Sequence, residues 1–195
     1  EFMQDKASIK DVADQLDEDQ DSVVNNQPEV FTTATEEISQ ESCAKLVGRC
    51  FAEATGSDIA LISLGTWIQG NGTNQNNGGV SGKLYAKNIT DYDICTILPT
   101  GWSQTIQTVR LTGKQIQDLY KEGYDAVGTG NNYPYVLVSP TELEDEKTYQ
   151  VAISGISEKL ASETEVTDSG IVGMDAAKEF LGQFKTLSEA DAEWK

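Results

Sequence analysis

The 195-residue chain contains no histidine, and this absence limits the chemistry that its side chains can perform. Histidine is the commonest general base near neutral pH and the commonest nitrogen ligand for metals. Three cysteines remain, Cys43, Cys50 and Cys95, all in apolar company and none in a C-x-x-C pair. This pattern predicts buried free thiols, and their odd number argues against a disulfide framework.

Two acidic runs are the other candidates for chemistry. Residues 17–22 alternate aspartates as a calcium-binding loop does, but Ser22 stands where that loop needs glycine and Pro28 where it needs the closing glutamate. We interpret this run as a solvated turn. Residues 142–146 are interpreted in the same way, as a solvated acidic turn and not as an acid–base pair.

The overall charge excludes one class of partner. Fourteen basic against 32 acidic residues give a net charge of −18. Nucleic-acid binding is not expected, because phosphate contacts require clustered lysine and arginine. No apolar run approaches the roughly 18–20 residues of a membrane span. An acidic surface favours solubility, and we expect an extracellular, cell-surface or periplasmic protein.

Helices are predicted from apolar periodicity and capping residues. The clearest covers residues 39–54, with its core-facing stripe from Cys43 to Ala54 and Gly56 past its end. A second covers 111–123, with Thr112 and Gln115 as a capping box. Further helices are predicted over 7–16, from Thr90 to before Pro99, and over 175–184, with a last turn over 188–194.

The strand that organises the chain is predicted at residues 59–64, an apolar run typical of a strand buried on both faces. A long Gly- and Asn-rich surface segment, 65–82, follows it. Other strands are predicted over residues 29–33, 80–87, 105–111, 135–139 and 148–154. The mixture predicts an α+β fold with one domain over residues 22–195. Residues 1–21 are interpreted as a leading arm, and the first three of them, Glu1-Phe2-Met3, as additions to the natural sequence.

Several short motifs occur in a specific order. Ile89-Thr90 leads into Asp93-Ile94 and Ile97-Leu98-Pro99, Leu111-Thr112-Gly113-Lys114-Gln115-Ile116 follows, and Lys147 to Ala152 comes last. In this order the sequence resembles the C-terminal domain of the bacterial 5′-nucleotidase and UDP-sugar hydrolase family, over roughly residues 22–187. The resemblance implies a 5′-nucleotidase C-terminal-like fold with mixed sheets flanked by helices.

The resemblance also implies a function. Family members carry an N-terminal metallophosphatase domain that holds two metal ions, while the C-terminal domain holds the nucleotide. This chain is therefore expected to be the nucleotide-recognition domain of a secreted 5′-nucleotidase-like phosphohydrolase, without its catalytic domain. We expect it to be inactive alone and to have no cofactor of its own, with divalent metals only in the N-terminal domain. Expected partners are that domain and a nucleotide or nucleoside.

The site residues are implied by the same resemblance. Family members end the first strand with an Asn-x-Gly-x-x-Arg turn and follow Ile-Leu-Pro with a phenylalanine that stacks on the base. The corresponding positions here, with two nearby tyrosines that could supply a second ring, are Ser63, Trp67, Gln69, Thr100, Gly101, Trp102, Tyr133 and Tyr135. Trp67 and Trp102 have the alternative of packing in a loop or in the core.

Two departures from the family pattern leave an alternative open. Gln69, or Ile68 depending on where a gap is placed, stands at the position of the expected arginine, and glutamine supplies neither a charge nor a bidentate fork. The Gly-Gly-Asp-Gly-Phe/Tyr turn expected after the last strand is absent from residues 154–165. The alternative is a diverged structural or interaction module that no longer binds nucleotide. An independent enzyme with carboxylate chemistry is supported only by the surplus of acids.

Overall fold

A computed structural model of the chain describes residues 28–65, 67–70, 73–76, 79–99, 101–123, 134–154 and 162–194. The helix predicted over 7–16 and the acidic turn at 17–22 lie outside the described residues. So does most of the proposed boundary between arm and domain, which stays a prediction.

The described elements alternate between strands and helices along the chain. The strands are β1 (Thr32–Thr33), β2 (Ile59–Ser63), β3 (Trp67–Gly70), β4 (Thr73–Asn76), β5 (Asn88–Ile89), β6 (Thr105–Thr112), β7 (Tyr135–Val138), β8 (Thr148–Ser154) and β9 (Val166–Val172). The helices are α1 (Gln40–Thr55), α2 (Asp91–Ile97), α3 (Gly113–Glu122) and α4 (Gly173–Leu181), and a 3₁₀ helix follows at Glu189–Ala192.

The main sheet has five strands in the order β7-β2-β8-β6-β9. Strands β2 and β8 are parallel, and the other neighbours are antiparallel. The expected α+β fold with a mixed sheet is confirmed. Strand β2 is buried along its whole length, as predicted, but the strand at the centre of the sheet is β8.

The period of two along each strand divides the core between the two faces of the sheet. On one face, Ala60, Ile62 and Ala152 pack with α1, α2 and α4. On the other face, Ile59, Leu61 and the neighbouring strand residues pack with Ile116 of α3. The sheet is therefore the middle of three layers, and its edges are where polar loops can gather.

The strongest local signals predicted the helices correctly. Ser39 caps α1 by accepting a hydrogen bond from the Ser42 N–H, and Gly56 follows α1 at φ 64°, in the left-handed region. The capping box of Thr112 and Gln115 begins α3. On α3, Ile116 is buried, whereas Tyr120 is 50% exposed.

One strand prediction was wrong, and one strand of the main sheet was not predicted. The predicted strand over 80–87 is absent there, because Val80 and Leu84 make only isolated bridges to Leu64 and Ile38. Strand β9, which was not predicted, pairs with β6 at the edge of the sheet. Its apolar residues, Val166, Ile171 and Val172, do not alternate with polar ones and none is fully buried, so β9 lacks the pattern that identifies a strand from sequence.

Candidate functional site

The predicted site segments converge on one edge of the sheet. Because β2 and β8 are parallel, their last residues, Ser63 and Ser154, lie at the same edge of the sheet, the one formed by the ends of these strands. The antiparallel neighbours begin there, β7 at Tyr135 and β6 at Thr105. The loop after Ser63, the turn that contains Trp102 and the approach to Tyr135 are therefore brought to this edge by strand topology alone.

Ser63 is placed at this edge but inside the protein. Its residue is fully buried, and its backbone N–H donates to the Ser154 hydroxyl at 3.1 Å. The two hydroxyl oxygens lie 3.5 Å apart. These contacts join the ends of the two parallel strands. Ser63 therefore stabilises the strand ends beneath the site, and its hydroxyl is not at the surface.

The loop that follows Ser63 has a firmly closed base. The Val80 N–H donates to the Ser63 carbonyl at 2.8 Å, and the Gly65 N–H donates to the Val80 carbonyl at 2.9 Å. The side-chain amide of Gln40 donates to the carbonyls of both Gly65, at 2.8 Å, and Val80, at 2.6 Å. The Gly- and Asn-rich segment thus leaves and rejoins the domain at a fixed point.

Trp67 and Gln69 belong to a hairpin beyond this base. The backbone of Trp67 pairs with Asn76 and that of Gln69 with Asn74, in the antiparallel ribbon of β3 and β4. The sequence predicted an irregular surface segment here, and the structure gives part of it a regular hairpin. The ligand contacts of both residues stay predictions.

Trp102 is the predicted site residue with a large exposed ring in the described part of the chain. Its ring is 51% exposed and lies edge-to-face with Tyr92 of α2, with ring centroids 6.1 Å apart. The indole lies close enough to the Cys95 thiol, which is also on α2, to act on the pKa of that thiol. Gly101, just before it, is in the left-handed region at φ 62°. Thr100 lies outside the described residues.

Cys95 sits at the base of this ring. Burial raises the pKa of its thiol, and the Trp102 indole offsets only part of that rise, so the pKa lies above its ordinary value. A thiol in this state is protonated at neutral pH and is a poor nucleophile.

Tyr135 is at the same edge but on the opposite face of the sheet. It is 3% exposed and packs in the cluster beside α3, whereas Trp102 contacts α2 on the other face. The sequence offered Tyr135 as a second stacking ring. A ring with this burial has almost no surface for a base, so it is left out of the site proposed below. Tyr133 lies outside the described residues.

Within the described residues, no group of three or more histidine, cysteine, aspartate or glutamate side chains is arranged to hold a metal ion. In the same part of the chain, no helix combines the length and the apolar character needed to cross a membrane.

Comparison with known proteins decides the family. The family described as 5′-nucleotidase, C-terminal domain, matches residues 20–137, more than half of the chain. The chain belongs to this family. No curated protein matches it.

Solved structures show the same fold for this 5′-nucleotidase C-terminal domain. A 5′-nucleotidase precursor from Thermus thermophilus is 17% identical with a TM-score of 0.57, over 86% of this chain and 39% of that chain. The NAD nucleotidase of Haemophilus influenzae is 10% identical with a TM-score of 0.54, over 94% of this chain and 40% of that chain. The present chain thus spans about two-fifths of the length of these relatives.

Sequence reasoning missed one residue of this edge, Tyr92. It stands between Asp91 and Asp93 and is 70% exposed. The apolar stripe of α2 is formed by Ile94 and Ile97, so Tyr92 has no place in the core pattern. An aromatic residue on the polar side of a short amphipathic helix was the signal that could have drawn attention to it.

Proposed function

We propose that this chain is the nucleotide-recognition domain of a 5′-nucleotidase-like phosphohydrolase. Membership of the 5′-nucleotidase C-terminal domain family supports the proposal. So does the length relation, because the chain matches two-fifths of larger nucleotidases. The catalytic metals would be held by a separate N-terminal metallophosphatase domain of the parent protein, which we propose to act outside the cytoplasm.

The observation that carries the proposal is the exposed ring of Trp102. It lies at the sheet edge where the segments implied by the family converge, and it packs edge-to-face against Tyr92. A flat, exposed aromatic surface is suited to stacking on a nucleobase, and such stacking contributes roughly 1–3 kcal/mol per base. Ser63 has the supporting role described above, in keeping the strand ends together.

The first prediction tests this ring by calorimetry. Adenosine and AMP are titrated into the purified chain and into its Trp102→Ala variant. We expect the wild-type chain to bind and the variant to bind about tenfold more weakly, because the stacking surface is lost. Tyr120→Ala is the matched control, since it removes an equally exposed ring on the opposite side of the sheet and should leave affinity unchanged.

The burial of Ser63 and Tyr135 favours a second candidate, a diverged interaction module without nucleotide binding. The same titrations separate the two candidates. Absence of heat with both ligands at millimolar concentration would overturn the recognition function and support the interaction module. Equal binding by the wild-type chain and Trp102→Ala would place nucleotide recognition elsewhere on the domain.

A further inference from the structure

We propose that Tyr92 and Trp102 together form an aromatic corner that binds the purine ring of a nucleoside, and that a phosphate group adds little to this binding. The inference rests on the proposed function and extends it by naming a second contact residue and the part of the ligand that is recognised.

The shape of the corner follows from the two rings. Their planes are inclined by 79° with centroids 6.1 Å apart, and both rings are largely exposed. A planar base that stacks on one wall therefore meets the other wall edge-on. Both geometries match the negative face and positive edge of aromatic rings. The corner supplies two contacts to one base without the two parallel rings of a sandwich.

The two walls are in contact with each other before any ligand arrives. The edge-to-face contact with Tyr92 packs the Trp102 ring against α2. Tyr92 lies in the first turn of α2, whose start is secured because the Thr90 N–H and hydroxyl each donate to the Asp93 carboxylate at 3.0 Å. Walls already in contact lose less side-chain entropy on binding, which favours a useful affinity from a small contact.

The charges around the corner argue against phosphate recognition. Tyr92 is flanked by Asp91 and Asp93, and the lysines that reach these carboxylates are already paired. Lys178 lies 3.0 Å from Asp91 and Lys87 lies 2.6 Å from Asp93. A phosphate placed here would have to displace a carboxylate from its lysine, in a chain of net charge −18. A neutral nucleoside meets no such competition.

A purine fits the corner better than a pyrimidine. Stacking on an aromatic side chain tolerates any base because every base has a flat face. The bicyclic purine covers more of one ring while its edge still reaches the second. We therefore expect adenosine to bind more tightly than cytidine.

The test is a set of calorimetric titrations with adenosine, AMP and cytidine against the whole chain and two variants, Tyr92→Ala and Tyr92→Phe. We expect Tyr92→Ala to weaken adenosine binding about five- to tenfold and Tyr92→Phe to restore it, because the ring and not the hydroxyl forms the wall. Adenosine and AMP should differ by less than about threefold, and cytidine should bind several-fold more weakly than adenosine. Circular dichroism of each variant verifies that α2 is intact.

The outcomes distinguish this inference from the function on which it rests. If Trp102→Ala weakens binding but Tyr92→Ala does not, the corner is overturned and the recognition function stands. If AMP binds more than about tenfold tighter than adenosine, the phosphate-independent part is overturned. If the wild-type chain binds none of the three ligands, both the corner and the recognition function are overturned.

Discussion

At the scale of single residues, Gly79 closes the loop beneath the site. A Cβ atom at this position would lie 2.7 Å from both the Leu64 carbonyl carbon and the Gly65 nitrogen. Backbone atoms cannot rotate away, so Gly79→Ala must separate the loop base from the end of β2. We expect a loss of about 3 kcal/mol in the free energy of unfolding, at the upper end of overpacking costs, measured by urea denaturation.

Gly170→Ala is the matched control for this prediction. Gly170 has φ 72° but no atom within 4 Å of an added Cβ, so its substitution tests backbone conformation without a clash. It should cost about 1 kcal/mol. Equal losses in the free energy of unfolding for the two variants would show that the loop base adjusts to the added Cβ atom at little cost, so that the close contact does not constrain its geometry.

The sequence suggested three site residues that the strand order brings to one edge of the sheet, Trp102, Ser63 and Tyr135. Their contact with a ligand stays a prediction. Their exposures are 51%, 0% and 3%. Exposure depends on which face each residue takes and on what packs over it, and neither is contained in the local sequence.

At the scale of elements, the 3₁₀ helix near the C-terminus is fastened to the start of α1 by one carboxylate. Glu189 accepts hydrogen bonds from the Ser39 N–H at 3.0 Å, the Ser39 hydroxyl at 2.7 Å and the Ser42 hydroxyl at 2.6 Å. Burial acts to raise the pKa of Glu189, but the hydrogen bonds from Ser42 and Ser39, with Lys45 nearby, outweigh it, and the pKa lies below its ordinary value.

The hydrogen bonds to the Glu189 carboxylate give a pH-dependent prediction. Because the folded pKa is lower than the unfolded value of 4.5, the stabilisation is fully present above that value and is lost as the pH falls through the folded pKa. Glu189→Gln should lower the free energy of unfolding by about 1 kcal/mol at pH 7, a modest figure because solvent screens the group. The difference from wild type should shrink between about pH 5 and pH 3.

Urea denaturation across this pH range is the measurement, with Glu193→Gln as the control. Glu193 pairs with Lys45 at 2.8 Å but is 62% exposed, so its loss should change stability by less than about 0.5 kcal/mol. If the free energies of unfolding of Glu189→Gln and wild type differ by a constant amount down to about pH 3, the charge of the carboxylate is not what stabilises this contact.

The elements that sequence predicted well are those whose signals are local. Helix α1 has a capping serine, an apolar stripe and a terminal glycine within its own span. Strand β9 is different, since it is stabilised by its pairing with β6, about 60 residues earlier in the chain. The same non-local dependence explains why Val80 and Leu84 form isolated bridges in place of the expected strand.

At the scale of the whole molecule, the buried core and the proposed recognition site occupy different parts of the fold. Two clusters of buried residues fill the faces of the sheet, while Trp102 stays exposed near the edge where β2 and β8 end. The composition matches this division, because 32 acidic residues favour a soluble surface while the absence of histidine removes the commonest metal ligand. A domain of this kind is suited to present a ligand to catalytic groups that belong to another domain.

The last prediction follows from that division. The isolated chain, supplied with AMP and either Mn²⁺ or Zn²⁺, should release no phosphate above the buffer background. Two-metal hydrolysis needs a built set of ligands to clamp the attacking and leaving oxygens, and the chain has no histidine to contribute. A colorimetric phosphate assay is the measurement, and turnover of about one per second or faster would contradict the prediction. Trp102→Ala is the control for a contaminating phosphatase. Trace activity that is unchanged in this variant does not depend on the proposed site. Activity that falls when the ring is lost would place both recognition and catalysis in these 195 residues.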